Sequence, residues 1–323
     1  MRVGWYDVRM GIRDLAVPIV GAPMAGGPTT PELVAAVSNA GGLGFLSAGY
    51  LSADALAERI AATRALTDKP FGVNLFVPGP RADPDTYADY VADLGEPRWD
   101  DDDWDAKLAL LVREPVAAVS YTFGCPDPLP DLPGEAWVTV TSPEEARAAA
   151  HADVLVVQGG EAGGHRGTWV DRPDLQPVGL LALLQLIETT QPVVAAGGIG
   201  TPAAVRAALA LGAAGVQVGT AFLLADEAGT VPAYRERLAA GNAPTGLTRA
   251  FSGRLARGIQ NRFMHEHPEA PLAYPEIHHA TAQLRAAARK AGDADAFNLW
   301  AGEAYPLARA LPAADITRWL AGA

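Results

Sequence analysis

Lysine is scarce in this 323-residue chain, with Lys69, Lys107 and Lys290 the only three among 25 basic residues. Acidic residues number 37, which leaves a formal net charge of −12 and a pI near 4.9. With no basic cluster against that background, neither nucleic acid nor an anionic membrane surface is an expected partner. Cysteine is reduced to Cys125, so an intrachain disulfide is excluded and a reducing, cytoplasmic setting is expected. Histidines are poorly spaced for metal: His265 and His267, like His278 and His279, sit too close along the chain to be same-face helical ligands, and no metal is expected. The carboxylates at 100–103, with Asp105, read as a solvated loop, because consecutive carboxylates seldom converge unless the chain folds back. Arg2, Asp7, Arg9, Arg13 and Asp14 interrupt any apolar stretch at the start, so no export signal is expected. The uncharged run 207–225 contains Gly212, Gly215, Gln217 and Gly219, and it reads as a helix end, a turn and a strand instead of a membrane span.

What is abundant is apolar residues, 49% of the chain, and glycine, 34 residues, enough for a sizeable core with many tight turns. Eight short apolar runs, at 18–23, 44–47, 71–77, 116–121, 136–140, 154–158, 193–196 and 215–219, read as parallel strands, most of them valine-rich as burial on both faces requires. Between them, 31–40, 52–66, 143–150, 178–187 and 202–211 have helical length and composition. The alternation predicts an α/β fold, a (β/α)8 TIM barrel, whose ligands lie at the C-terminal strand ends. Segment 125–134, with four prolines, is expected to lack a full helix. Composition changes after Leu224. Residues 1–225 are read as the barrel, 226–309 as a smaller α-helical subdomain covering its mouth, and 310–323 as a C-terminal helix returning to the barrel.

Two glycine motifs follow the last two predicted strands. Gly197-Gly198-Ile199-Gly200 leads into Thr201, a good N-cap, and Pro202, a good first helical residue, so loop amides and a helix N-terminus face one small volume. Val218-Gly219-Thr220 ends the next strand. Tight turns alone would explain either motif, but two adjacent ones favour a phosphate cradle. A third motif follows strand six: Gln158-Gly159-Gly160-Glu161-Ala162-Gly163-Gly164-His165-Arg166-Gly167 can lie against a flat ligand and project an imidazole over it. An isolated loop histidine is usually just solvated; the strand-end position makes His165 the candidate catalytic residue.

These motifs, with Ala22-Pro23-Met24-Ala25-Gly26-Gly27, Phe71-Gly72-Val73-Asn74, Phe251-Ser252-Gly253-Arg254 and Asn298-Leu299-Trp300-Ala301-Gly302-Glu303, resemble the nitronate monooxygenase family along nearly the whole chain. The resemblance implies an FMN enzyme that oxidises alkyl nitronates, such as propionate 3-nitronate, with molecular oxygen. It implies that Asn74 and Gln158 hydrogen-bond the flavin ring, that Pro23 and Met24 lie beside it, and that Gly163, Gly164, Gly197, Gly198, Gln217, Val218, Gly219 and Thr220 hold its edge and phosphate tail. It makes His165 a base of near-neutral pKa towards neutral nitroalkanes, or a cationic anchor for nitronates. Thr122 stands where some members carry a second histidine. An NAD(P)H-dependent flavin reductase of quinones or enoyl thioesters, and a flavin-free sugar-phosphate barrel, are the alternatives, and a homo-oligomer is left open. In the lid, 251–257 and 300–305 are expected nearest the flavin, with Arg254, Arg257 and Tyr305 either donors to a nitronate or carboxylate or partners of the many acidic residues at the surface.

Overall fold

The computed structural model describes residues 11–322. Arg2, Asp7 and Arg9, which the reading of the N-terminus uses, lie outside them. Parallel strands β1 (Ile19–Gly21), β2 (Leu43–Ser47), β3 (Phe71–Phe76), β4 (Ala118–Thr122), β5 (Glu135–Val140) and β6 (Val154–Gln158) pair in order. A two-residue strand, β7 (Gly164–His165), leaves the barrel, which β8 (Val193–Ala196) and β9 (Gly215–Val218) complete. Closure comes from β9 on β1, with Ile19, Val20 and Gly21 facing Val216, Gln217 and Val218. This is the (β/α)8 TIM barrel that the alternation predicts.

Alternate residues of each strand enter different cores, as a period of two requires. Val20, Phe45, Trp137, Val154, Val156 and Val194 fill the barrel interior, where the Phe45 and Trp137 rings lie 5.1 Å apart. Ile19, Leu46, Val73, Val119, Val138, Leu155, Val157 and Ala195 point outward against the helices. Those helices are α1 (Pro31–Asn39), α2 (Ala53–Leu66), α4 (Trp104–Arg113), α5 (Pro143–Ala148), α6 (Leu180–Leu186) and α7 (Pro202–Ala210), with the single turn α3 (Ala88–Val91) in the excursion after β3. No helix forms between β4 and β5, where the prolines fall. The uncharged run divides into the end of α7, a turn and β9, and no helix among the described residues is long and apolar enough to cross a membrane.

The segment after β9 carries α8 (Pro232–Ala240), α9 (Arg262–Glu266), α10 (Glu276–Ala280) and α11 (Ala282–Ala291). It also contains β10 (Thr245–Thr248) and β11 (Ala256–Ile259), an antiparallel pair absent from the sequence reading. Their second neighbour is β7, with Ala256 opposite His165 and Arg257 opposite Gly164. The segment after β9 is thus joined to the barrel by a three-stranded sheet whose edge strand carries the candidate catalytic histidine. The loop after β3 joins it too: Tyr87 and Val91 pack on Ala273, Ile277 and Ala280. The final helix, α12 (Ala313–Ala321), returns Ala313, Ile316 and Leu320 to the main core.

In the acidic run at 100–103, Asp101 and Asp103 are exposed, as expected of a solvated loop, while Asp102 turns inward. Asp102 accepts the Tyr50 amide at 2.8 Å and pairs with the fully buried Lys107 at 2.8 Å, while Asp103 accepts the Ala53 amide at 2.9 Å. The chain folds back on α2 and α4, which makes Asp102 an internal fastener and Asp103 a surface cap on the start of α2.

Candidate active site

Thirteen residues singled out by the sequence, Pro23, Met24, Asn74, Gln158, Gly163, Gly164, His165, Gly197, Gly198, Gln217, Val218, Gly219 and Thr220, all line one cavity at the C-terminal strand ends. It encloses roughly 1550 Å³ of non-protein space, its open mouth included. At one end, Thr201 caps α7 by accepting the Ala204 amide at 3.2 Å, and Pro202 occupies the first helical position. Gly197 and Gly198 take φ of +106° and +70°, which glycine adopts freely and other residues only with strain. The amides of Gly198, Gly219 and Thr220 find no acceptor among the described residues. A row of unspent N–H groups beside a helix N-terminus is suited to an anion.

Beside this end residues 301–302 pack closely on Gly163. A Cβ at Gly163 would stand 2.5 Å from Ala301 C and Gly302 N, so only glycine fits; at Gly164 it would meet nothing within 4 Å and would occupy the cavity. Asn74 spends its amide nitrogen on Ser120 and Thr122, at 2.9 and 3.0 Å to their hydroxyls, and offers Oδ1 as an acceptor. Gln158 accepts the Gly167 amide at 2.8 Å and donates to the His165 carbonyl at 3.2 Å, which fixes the histidine loop.

His165 is enclosed by Phe123, Tyr274 and Trp300, with ring centroids 5.9, 5.7 and 5.5 Å away, yet it keeps surface towards the cavity. Its Nε2 lies 2.8 Å from Ser252 Oγ of the lid. Burial, aided by the Arg254 and Arg285 guanidinium groups, pushes its pKa down to about 3, so the imidazole is neutral at physiological pH. The near-neutral pKa expected from sequence is corrected here. A solvated loop would have kept it; enclosure by aromatic rings and two cations does not.

The expected lid donors are spent elsewhere. Arg254 lies 3.9 Å over the Phe123 ring and donates to the Arg166 and Thr168 carbonyls. Arg257 donates to Gly160 O and pairs with Glu303 at 3.1 Å. The Tyr305 hydroxyl bonds both the amide and the carbonyl of Ala243 and is buried. Trp300, in contrast, does line the cavity.

A profile of the nitronate monooxygenase family matches residues 11–321. The chain belongs to that family. It is therefore an enzyme, an oxidoreductase. It is 42% identical to nitronate monooxygenase of Pseudomonas aeruginosa, over 94% of this chain and 95% of that one. In structure it is similar to nitroalkane oxidase from Streptomyces ansochromogenes, with a TM-score of 0.92, 46% identity and 96% of both chains covered. FabK from Thermotoga maritima is similar at a TM-score of 0.73 and 28% identity, over 96% and 93% of the two chains.

Several residues of this family site escaped the sequence reading. Tyr50 and Phe123 line the cavity with left-handed φ of 67° and 77°, a conformation that non-glycine residues adopt only under constraint. Tyr274 donates to the Tyr50 hydroxyl at 3.1 Å, and His278 stacks on Tyr50 with centroids 3.8 Å apart. Burial raises the Tyr50 pKa to about 12 and holds His278 well below its ordinary value. Long separations hide this cluster: Tyr50 and Tyr274 are 224 residues apart. Arg289 also lines the cavity and carries no local motif, whereas Asn298 beside it opens the 298–303 motif.

Proposed function

We propose that the chain binds FMN and oxidises alkyl nitronates such as propionate 3-nitronate with molecular oxygen, releasing a carbonyl compound and nitrite. The observation that carries this reading is a single cavity whose amide-rich glycine end and neutral, ordered imidazole face the same ligand space. The residues fit a flavin mononucleotide. The unspent amides of Gly198, Gly219 and Thr220 suit one terminal phosphate, Asn74 Oδ1 suits a ring N–H, and Gly164 leaves room for a flat edge. No separate dinucleotide fingerprint follows β1, which favours FMN over FAD.

When bound, FMN supplies an electron acceptor that oxygen can reoxidise. The protein's part is to bind, orient and shelter. Arg254 and Arg285 are buried and donate to carbonyls; Asp171 partly offsets the charge of the first, and no carboxylate among the described residues acts on the second, so a positive potential remains. That potential attracts a nitronate, and the anion in turn raises the His165 pKa towards its usual range. His165, aligned by Ser252, then holds a hydrogen bond to the nitro group. With a pKa near 3 before ligand binding, it is a weak base for a neutral nitroalkane, so preformed nitronates are the better substrates. Phe123, Tyr274 and Trp300 exclude bulk water from the reacting centre.

An NAD(P)H-dependent flavin reductase of quinones or enoyl thioesters is the second reading, since the same barrel and cavity would serve it. Both readings are tested on purified protein. The nitronate reading requires yellow protein that releases FMN, takes up oxygen and forms nitrite with propionate 3-nitronate. Rapid NADPH or NADH oxidation without nitronate turnover establishes the reductase, and colourless protein that cannot be reconstituted rejects both.

A further inference from the structure

Arg289, on the last turn of α11, is the only side chain of permanent charge among the described residues that line the cavity. Other enclosed arginines spend their donors on backbone carbonyls: Arg166 on Gly159 and Gln158, Arg235 on Ala225 and Leu224, Arg285 on His278. Arg289 does not. Its one hydrogen bond among the described residues is to Asn298 Oδ1 at 2.7 Å, and its remaining contact of note is the Phe297 ring, 5.3 Å from the guanidinium carbon. A guanidinium has five N–H donors, so most of this one's capacity is unspent in a partly desolvated wall with no carboxylate in reach. A second orphan shares the cavity. Thr230 Oγ1 is buried without a partner on the segment leading into α8, and Tyr234 of that helix lies near enough to Arg289 to act on its charge. Unspent charged and neutral donors in one cavity wall need an acceptor that the chain does not provide.

We propose that Arg289, with Thr230, forms an oxyanion subsite in the lid-side wall, which takes the carboxylate or phosphate of a cavity ligand. The ligand's identity rests on the function proposed above; the anionic chemistry of the subsite does not. Asn298 fixes the guanidinium plane so that two parallel N–H groups can meet two oxygens, the geometry Arg uses for carboxylate and phosphate. The source is the phosphate of FMN or a carboxylate on the nitronate, and matched ligand pairs separate the two.

Wild type, R289M and R289Q are compared at constant ionic strength. Apoprotein is titrated with FMN and with riboflavin, read by flavin fluorescence; holoprotein is titrated with 3-nitropropionate and with 1-nitropropane, read by perturbation of the flavin absorbance. The subsite requires that one anionic ligand binds about 10- to 100-fold more weakly to R289M, the size of a charge-assisted hydrogen-bonded pair, while its uncharged twin changes less than about twofold. A response in the first pair assigns the phosphate, and one in the second assigns the carboxylate. R289Q keeps a bond to Asn298 and serves if R289M does not fold. Unchanged binding of all four ligands by a folded variant overturns the subsite. If wild type binds neither flavin nor nitro compound, the proposed function falls separately; inorganic phosphate and propionate, followed by tryptophan fluorescence, then decide the subsite, and equal affinities in wild type and R289M reject it.

Discussion

Ser252 Oγ of the lid lies 2.8 Å from Nε2 of His165 at the barrel mouth. That bond crosses 87 residues of sequence and runs beside the β7–β11 pairing, in which Ala256 faces His165. Two independent constraints, a backbone ladder and a side-chain bond, therefore fix one imidazole. Ser252→Ala removes the second and leaves the first. The expected outcome is a two- to tenfold fall in kcat/KM for nitronates, the net value of about one hydrogen bond, with flavin content unchanged. Full activity would show that the backbone pairing alone positions the ring.

His165→Asn separates proton transfer from orientation. Because the free imidazole is such a weak base, nitroalkane turnover is expected to be low already in the wild type. The variant should lose about tenfold or more with preformed nitronate while keeping its flavin. Strong wild-type activity on neutral nitroalkanes, lost by a hundredfold or more in the variant, would instead make His165 a working base.

Gly198→Val tests the anion end. At φ +70° a β-branched residue carries strain of about 1–2 kcal/mol, and its Cβ would lie 3.1 Å from Glu161 Cβ. The loop must move, taking its free amide with it. Expected are a lowered Tm and loss of the flavin colour. A folded variant with full flavin occupancy would move the phosphate elsewhere.

Asp102 is held at a pKa of about 6 by burial, against the opposing pull of Lys107, and it anchors the left-handed Tyr50. Asp102→Asn leaves the Lys107 charge buried without its partner, so a loss of roughly 3–5 kcal/mol in denaturant unfolding is expected. Adding Lys107→Met to that variant should restore much of it. An additive double variant would mean that the two charges are not coupled in the folded protein.

The depressed His165 pKa makes stability depend on pH. Below about pH 6.5 the unfolded chain protonates this histidine while the folded chain does not until about pH 3, so folding stability falls as pH drops through that window. The slope is up to about 1.4 kcal/mol per pH unit for this group. Urea unfolding of the flavin-free protein between pH 4 and 7 should show a shallower slope in His165→Asn than in the wild type; equal slopes would place the folded-state pKa near its ordinary value.

The sequence by itself determined the barrel, because a buried parallel strand must be a short apolar run and a βα unit repeats that signal eight times. It also brought the glycine loops and His165 to one end, since strand polarity in a closed parallel barrel leaves no other place for residues that follow β6, β8 and β9. Only the tertiary structure decided what surrounds them. The strands Thr245–Thr248 and Ala256–Ile259 are short and glycine-containing, and they become strands through pairing with each other and with Gly164–His165. Arg254, Arg257 and Tyr305 read as donors for a ligand, yet backbone carbonyls, Glu303 and Ala243 take them up. Tyr50 and Arg289 meet the cavity, and Tyr274 meets Tyr50 and His165 behind it, from distant segments with no local motif. The protonation state of His165 was settled last, because a pKa is set by desolvation and neighbouring charge, and both are properties of the packed lid.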